Sequence, residues 1–202
     1  MLLSTLALGA ALLAGDTVKA NPVAWTVDPA HSEVSFRVRH LTGRVRGHFK
    51  EYTTSLMADP AQLTTGSVTV EVKTASVNTE QEKRDAHLRS PDFFDVEKFP
   101  AMTFKSTRVE SNGKDLALSG DLTIRGVTKP VVLKGTFNGK VTDPWGKERL
   151  GFEVSTTIDR RDFGLVWNKA LETGGMLVGE EVKVQIAIEA NKAKPAAAPA
   201  AK

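Results

Sequence analysis

The sequence predicts an all-β protein built as an eight-stranded antiparallel up-and-down barrel, with one short helix and one long apolar loop inserted. Three observations lead to this fold class. Apolar and polar residues alternate with a period of two in many segments. Short turn signals join most of these segments, whereas a parallel sheet would need a crossover helix at each connection. A meander of eight strands can also close on itself, which removes exposed strand edges.

The alternating segments define the strands in chain order. The last one is the clearest, because Val182, Val184, Ile186 and Ile188 alternate with charged or polar residues. The second and fourth segments alternate less regularly. The predicted strands cover residues 32–40, 44–57, 66–76, 101–109, 115–124, 127–138, 149–159 and 180–190.

Turn residues separate several of these strands. Leu41-Thr42-Gly43 and Asp143-Pro144-Trp145-Gly146 are typical of tight connections. Asn112-Gly113 and Asn138-Gly139 carry the dipeptide that favours hairpins most strongly. Gly120, inside an otherwise apolar strand face, predicts a bend or a bulge.

Two insertions interrupt the meander. Residues 78–90 predict a short helix, with Asn78 as its N-cap and Pro91 after its end. Residues 160–179 combine apolar side chains, glycines and charges without a regular period. An apolar loop of this length beside a barrel predicts a lid or the mouth of a cavity.

The two ends of the chain differ from its body. Residues 2–14 form an uncharged apolar run that is too short to span a bilayer and is typical of a signal peptide. Val18-Lys19-Ala20 fits a signal-peptidase site, so we expect a signal peptide over 1–20 and export to a bacterial periplasm. Residues 21–191 form the predicted domain. Residues 192–202 are rich in Ala, Pro and Lys and predict a disordered tail.

Composition excludes several functions. The chain has no cysteine, which rules out disulfides, thiolate catalysis and Cys-ligated metals. The 27 basic residues include Lys19 and the three lysines of the tail, and the 24 acidic residues include Asp16. Without these, the body has 23 basic and 23 acidic residues, so the net charge of +3 belongs to the tail. A neutral body with a single tyrosine disfavours nucleic acid as a partner.

A cluster of basic residues lies on the first predicted hairpin. The alternation places these side chains opposite the apolar face, which favours a solvated outer surface. Attraction of anionic lipid head groups or of a phosphate-bearing ligand is the alternative. The cluster consists of Arg37, Arg39, Arg44, Arg46, His48 and Lys50.

No common catalytic motif is present, and we predict neither a catalytic residue nor a metal site. Two carboxylate and imidazole pairs, Asp28 with His31 and Asp85 with His87, leave open an enzyme that modifies lipids by acid and base catalysis. A metal site would form if folding brought His31, His40 and His87 together, but their spacing does not require it.

Several motifs taken together resemble the YceI-like family, in order over residues 25–190. They include Asp28-Pro-Ala-His31-Ser32, Arg84-Asp85-Ala-His87-Leu88, Gly120-Asp-Leu122-Thr-Ile124-Arg-Gly126 and Arg161-Asp162-Phe163-Gly164-Leu165. The resemblance implies an exported protein with a lipocalin-like barrel that holds a long isoprenoid or acyl chain. It also implies homodimers and, in some genomes, partnership with membrane b-type cytochromes.

From the alternation and this resemblance we expect a periplasmic carrier for a polyisoprenoid lipid, of the quinone or prenyl phosphate type, with no cofactor besides the bound lipid. A protein with a filled interior that serves only interactions is a further alternative. We expect His31, His40 and Arg161 to orient the head group, and Phe94, Phe163 and Trp167 to lie near the mouth. The expected cavity lining is Phe36, Val38, Val70, Phe104, Leu122, Phe152, Val184 and Ile186.

Overall fold

The computed structural model describes residues 19–172 and 174–194. The expected signal peptide therefore lies outside the described residues, apart from its last two positions. The same holds for residues 195–202 of the expected tail. Lys192, which the sequence assigns to that tail, is the last residue of the final strand.

The described residues form a single antiparallel sheet and one α-helix, α1, at Glu82–Arg89. The strands are β1 Val23–Val27, β2 Glu33–His40, β3 Gly43–Phe49, β4 Tyr52–Ala58, β5 Ser67–Lys73, β6 Val77–Asn78, β7 Ala101–Asn112, β8 Asp115–Ile124, β9 Val127–Thr142, β10 Glu148–Asp159 and β11 Val178–Lys192.

The predicted eight-stranded barrel is confirmed, although its first three strands are each broken into two. A short 3-10 turn at Pro29–His31 separates β1 from β2, and another at Thr74–Ser76 separates β5 from β6. Lys50 and Glu51 separate β3 from β4. With each pair counted as one strand, the barrel is a sequential meander. It closes because β11 pairs with both β1 and β2.

Two sequence expectations about local structure are wrong. Asn138-Gly139 is not a turn but a bulge inside β9, because Gly151 pairs with Gly139 whereas Phe152 pairs with Phe137. Strand β1 lies outside the predicted strand bounds, which begin at residue 32. It is short, and the 3-10 turn that follows it disrupts the alternation.

Gly120 does lie at an irregular position, as expected. Ser106 pairs with Gly120 and Arg108 with Ser119, so Thr107 is an extra residue on the opposite strand. The ring of Phe104 covers the glycine so closely that a Cβ atom at position 120 would lie 2.5 Å from Phe104 Cζ. The glycine therefore allows a large ring to lie flat against the barrel wall.

The helix begins later than the sequence predicts. Its N-cap is Gln81, whereas Asn78 belongs to β6 and its side chain accepts a hydrogen bond from the Glu80 amide at 3.0 Å. The buried Asp85 carboxylate accepts a hydrogen bond from the Thr79 amide at 2.9 Å. These two contacts hold the turn between β6 and α1 in place.

The barrel has two different ends. We call the end that carries α1 and the β10–β11 loop the helix end, and the end that carries the β7–β8 and β9–β10 turns the hairpin end. Buried residues form one cluster around Phe49, Val77 and Phe163 and a second around Trp25 and Leu150. No helix among the described residues is long and apolar enough to cross a bilayer.

Candidate ligand-binding cavity

A cavity of about 170 Å³ lies inside the barrel. Cross-strand pairs such as Val70 with Phe104 and Val154 with Ile186 place apolar side chains on its wall. Tyr52, Thr54 and Ser67 contribute the polar side chains of the lining. The cavity is therefore an apolar chamber with few groups able to form hydrogen bonds.

The cavity extends towards the hairpin end. Leu63 and Gly66 of the β4–β5 connection line it, as do Val109 and Leu116 beside the β7–β8 turn. The ladder between β5 and β7 stops at Thr69 and Lys105. Beyond this pair the Val68 amide donates to Ser106 Oγ at 2.9 Å instead of to a backbone carbonyl. The backbone ladder of the wall is thus interrupted at this level.

The expected lining residues fall into three groups. Val70, Phe104, Phe152 and Ile186 line the cavity. A second group belongs to the packed cluster of the helix end: Phe36, Leu122, Phe94, Phe163 and Trp167. Val38, His40 and Val184 lie on β2 and β11, nearer the helix end, and are not among the residues that line the cavity.

The β10–β11 loop closes the helix end instead of opening it. Phe163 is only 2 % exposed. Phe94 packs edge-on against Phe49 with ring centroids 5.7 Å apart, and the ring centroids of Trp167 and Phe93 are 5.3 Å apart. Aromatic packing therefore fills the place where the sequence located the mouth, because apolar loop residues bury themselves on the barrel end.

The first of the two expected carboxylate and imidazole pairs forms, but on the outer surface. His31 Nδ1 lies 3.1 Å from Asp28 Oδ2, and the His31 side chain is 62 % exposed. The hydrogen bond from His31 is the main cause that lowers the pKa of Asp28. Arg149 also donates to Asp28, at 3.3 Å, and to Glu189. Arg149 thus already balances the charges of Asp28 and Glu189. Together with His31, these two carboxylates form the one group in the described part of the chain whose side chains lie close enough to hold a metal ion.

The second expected pair does not form. His87 Nε2 lies 2.9 Å from Asp92 Oδ2, whereas Asp85 is occupied by Thr79. The His87 ring stands edge-on to Trp167 at 4.8 Å. The spacing predicts Asp85 as the partner of His87, because the sequence does not show that the Asp85 carboxylate holds the turn before α1.

Arg161, an expected head-group residue, lies at the helix end and is exposed. It forms ion pairs with Asp159 at 2.6 Å and with Glu180 at 2.7 Å. The hydrogen bond to Asp159 is the main cause that raises the pKa of Arg161. Its contacts are therefore with surface carboxylates.

The basic residues of the β2–β3 hairpin lie on the outer surface, as the alternation predicts. Arg37 pairs with Arg46 across the strands, and Arg39 pairs with Arg44. All four side chains are exposed, and none forms an ion pair with a residue in 19–172 or 174–194. The hairpin thus carries two rungs of like charge.

Tyr52 is one of the cavity-lining residues that sequence reasoning missed. Its hydroxyl is buried and has no hydrogen-bond partner among the described residues. Burial is the main cause that raises the pKa of Tyr52. The available signal was its position in the second predicted strand, where Tyr52, Thr54 and Leu56 share one face.

Comparisons with known proteins agree with this architecture. The family model for the YceI-like domain matches residues 25–190. A UPF0312 protein of Pseudomonas savastanoi pv. phaseolicola is 42 % identical over 165 residues, covering 81 % of this chain and 86 % of the relative. The crystal structure of the Campylobacter jejuni YCEI protein superposes with a TM-score of 0.67 at 34 % identity, covering 77 % and 90 % of the two chains. A polyisoprenoid binding domain from Saccharophagus degradans shares the fold, with a TM-score of 0.62 at 14 % identity over 85 % and 99 % of the two chains.

Proposed function

The chain belongs to the YceI-like family, and we propose that it binds a long-chain isoprenoid lipid inside its barrel and carries or sequesters that lipid in the periplasm. The observation that carries the proposal is the apolar cavity enclosed by the meander. The Saccharophagus degradans domain, which has the same fold, is named for polyisoprenoid binding and supports this ligand class.

The chemistry of the cavity wall suits a hydrocarbon chain. Each methylene group removed from water contributes about 0.8 kcal/mol to binding, so a long chain needs few polar contacts. A cavity of about 170 Å³ is smaller than the roughly 300–1,000 Å³ of typical ligand sites. We therefore expect lining side chains such as Met57 and Met102 to change rotamer on binding, since methionine adapts readily to irregular space.

The same proposal gives the lipid a route into the barrel. Leu63 and Gly66 on one side and Val109 and Leu116 on the other border the level where β5 and β7 separate. We place the mouth there, at the hairpin end. A barrel whose interior is entirely filled, the interaction-protein alternative, does not fit a cavity of this kind.

Mass spectrometry of an organic extract of the protein purified from the periplasm tests the proposal. We expect an isoprenoid lipid in the extract of the wild type. Val70→Phe places a larger side chain in the cavity and should abolish co-purification, whereas Val132→Phe adds the same ring to an exposed outer position and should not. A folded wild type that yields no lipid and takes up no added isoprenoid quinone contradicts the proposal.

A further inference from the structure

Five cations lie close together on the outer wall of the barrel, on β11, β2 and β3. Lys183, Arg37 and Arg46 form a row across the three strands, which at about 4.8 Å per strand spans about 10 Å. Arg39 and Arg44 form the next pair on the same face, nearer the turn. All five residues are exposed, and none forms an ion pair with a described residue. We call these five residues the basic face.

The acidic residues near the basic face do not neutralise it. Glu180 is occupied by Arg161, at 2.7 Å. Glu33 and Glu181 are exposed on β2 and β11, but neither forms an ion pair with a residue in 19–172 or 174–194. The body of the chain has no net charge, so the basic face is a local concentration of charge and not a result of overall composition.

Keeping these cations side by side costs stability. Arg37 lies directly opposite Arg46 and directly opposite Lys183, and like charges in such positions repel each other. A partner with many negative charges would remove this repulsion when it binds. The basic face is therefore suited to an anionic surface.

The turn between β2 and β3 exposes an apolar side chain beside the basic face. Leu41 is 45 % exposed and has a φ of 50°, a left-handed conformation that favours Gly or Asn. Its amide donates to the Leu177 carbonyl at 3.0 Å, which attaches the turn to the β10–β11 loop. Met176, the residue before Leu177, is 58 % exposed. Two exposed apolar side chains thus lie just beyond the pair formed by Arg39 and Arg44.

We propose that the basic face and Leu41 dock the protein on an anionic phospholipid bilayer, with the cations against lipid phosphates and Leu41 among the first acyl carbons. The outer wall of a barrel is convex, so it suits an extended charged surface better than a small anion. A nucleic acid would satisfy the cations but leave Leu41 and Met176 in water. The inference goes beyond the proposed function, because docking does not depend on what the barrel holds.

Flotation of the full chain with lipid vesicles tests the inference. We expect the wild type to float with phosphatidylcholine vesicles that contain phosphatidylglycerol, and not with pure phosphatidylcholine. Raising NaCl from about 0.1 M to about 1 M should release it, because salt screens exposed charges. Arg37→Gln/Arg46→Gln should weaken binding about thirtyfold, since each cation near an anionic surface contributes about fivefold.

A double variant on the opposite side of the barrel is the matched control. Lys105 on β7 and Lys134 on β9 are exposed and form no ion pair with any residue that the structure describes. Both strands lie across the barrel from β2 and β3, beyond the reach of a charged surface bound there. Lys105→Gln/Lys134→Gln should therefore change binding less than about twofold.

Two measurements separate lost docking from a damaged fold. Arg37→Gln/Arg46→Gln should unfold at the same urea concentration as the wild type or a higher one, because it removes a repulsion. Leu41→Asn places a residue that tolerates positive φ in the turn, so the fold should be unaffected. This variant should weaken vesicle binding about fivefold and leave its salt dependence unchanged.

Several outcomes would overturn the inference. These are equal binding to anionic and neutral vesicles, and equal losses in the two double variants. Release from vesicles by soluble glycerol phosphate would assign the face to a small phosphate ligand. Binding of a single-stranded oligonucleotide as tight as vesicle binding, with no effect of Leu41→Asn on either, would assign it to nucleic acid. A barrel that yields no lipid contradicts the proposed function alone, since vesicle docking is measured independently of the barrel content.

Discussion

Arg160 donates a hydrogen bond from Nε to the main-chain oxygen of Gly179 at 2.9 Å. Its Nη1 atom also donates to the main-chain oxygens of Leu165 and Trp167. The side chain is only 5 % exposed, and its burial is the main cause that lowers the pKa of Arg160. One buried guanidinium thus joins the loop after β10 to the first residues of β11.

Arg160→Met should lower the free energy of unfolding by about 3 kcal/mol, because one buried and two partly buried carbonyls lose their donor. Urea denaturation measures this change, and hydrogen exchange should show faster opening of residues 163–172 and 174–178. Arg161→Met is the matched control, since its exposed ion pairs contribute little. Equal losses in the two variants would contradict a special role for Arg160.

Gly135→Ala should destabilise the barrel strongly, by about 3 kcal/mol or more. A Cβ atom at this position would lie 1.8 Å from the Glu153 carbonyl oxygen, which is backbone and cannot move aside without disturbing β10. Gly43→Ala is the control, because its nearest contact would be the His40 oxygen at 3.8 Å. Thermal unfolding of both variants decides the matter, and a Gly135→Ala protein as stable as Gly43→Ala would refute the close approach of the strands.

Glu148 should make stability depend on pH in the acid range. Hydrogen bonds from Lys140 and then Lys192 lower the pKa of Glu148 from 4.5 to about 2. The folded protein therefore keeps this carboxylate charged at pH values where the unfolded chain protonates it. Its stabilisation is complete above about pH 4.5, declines as the pH falls and is absent below about pH 2.

Urea midpoints of the wild type and Glu148→Gln between pH 2 and pH 7 measure this effect. We expect the two proteins to differ at neutral pH and to converge towards pH 2. Glu97→Gln is the control, since Glu97 is exposed and forms no ion pair with any residue that the structure describes. A difference between wild type and Glu148→Gln that stays constant across the range would show that pairing with the lysines does not stabilise the fold.

The like charges on the β2–β3 hairpin should make stability increase with salt. Arg37 faces Arg46 across the strands, and like charges in directly opposed positions repel. Arg46→Glu should therefore raise the free energy of unfolding by about 0.5 kcal/mol at low ionic strength. The gain should shrink in 1 M NaCl because salt screens exposed charges. A gain that does not respond to salt points to packing instead of charge.

Much of the fold could be predicted because alternation is a local property of the chain. The strand ending in Ile188 repeats its pattern over many residues, so its direction and its inward face follow directly. The bulge at Asn138 could not be predicted, because Asn-Gly dipeptides favour a turn and only the pairing partner at Gly151 shows otherwise. Strand β1 depends in the same way on its long-range pairing with β11.

The candidate site was less accessible to sequence reasoning. Alternation shows which side chains point inward but not which part of the interior remains empty. Phe163 and Trp167 fill the helix end because the loop that carries them folds onto it, a tertiary event with no local signal. Tyr52 was missed because a tyrosine in a strand most often has a partner, and its lack of one appears only in three dimensions.

The early end of the β5–β7 ladder has a mechanical consequence. Around the hairpin half of the barrel, backbone pairing passes from β11 to β1, β4 and β5 and continues from β7 to β10, but between β5 and β7 it stops at Thr69 and Lys105. Paired strands have a spacing set by their hydrogen bonds and stagger, so the paired part of the wall cannot dilate without breaking those bonds. Widening is therefore confined to the level beyond Thr69 and Lys105, and further space inside depends on how far Met57, Met102 and Phe104 swing aside.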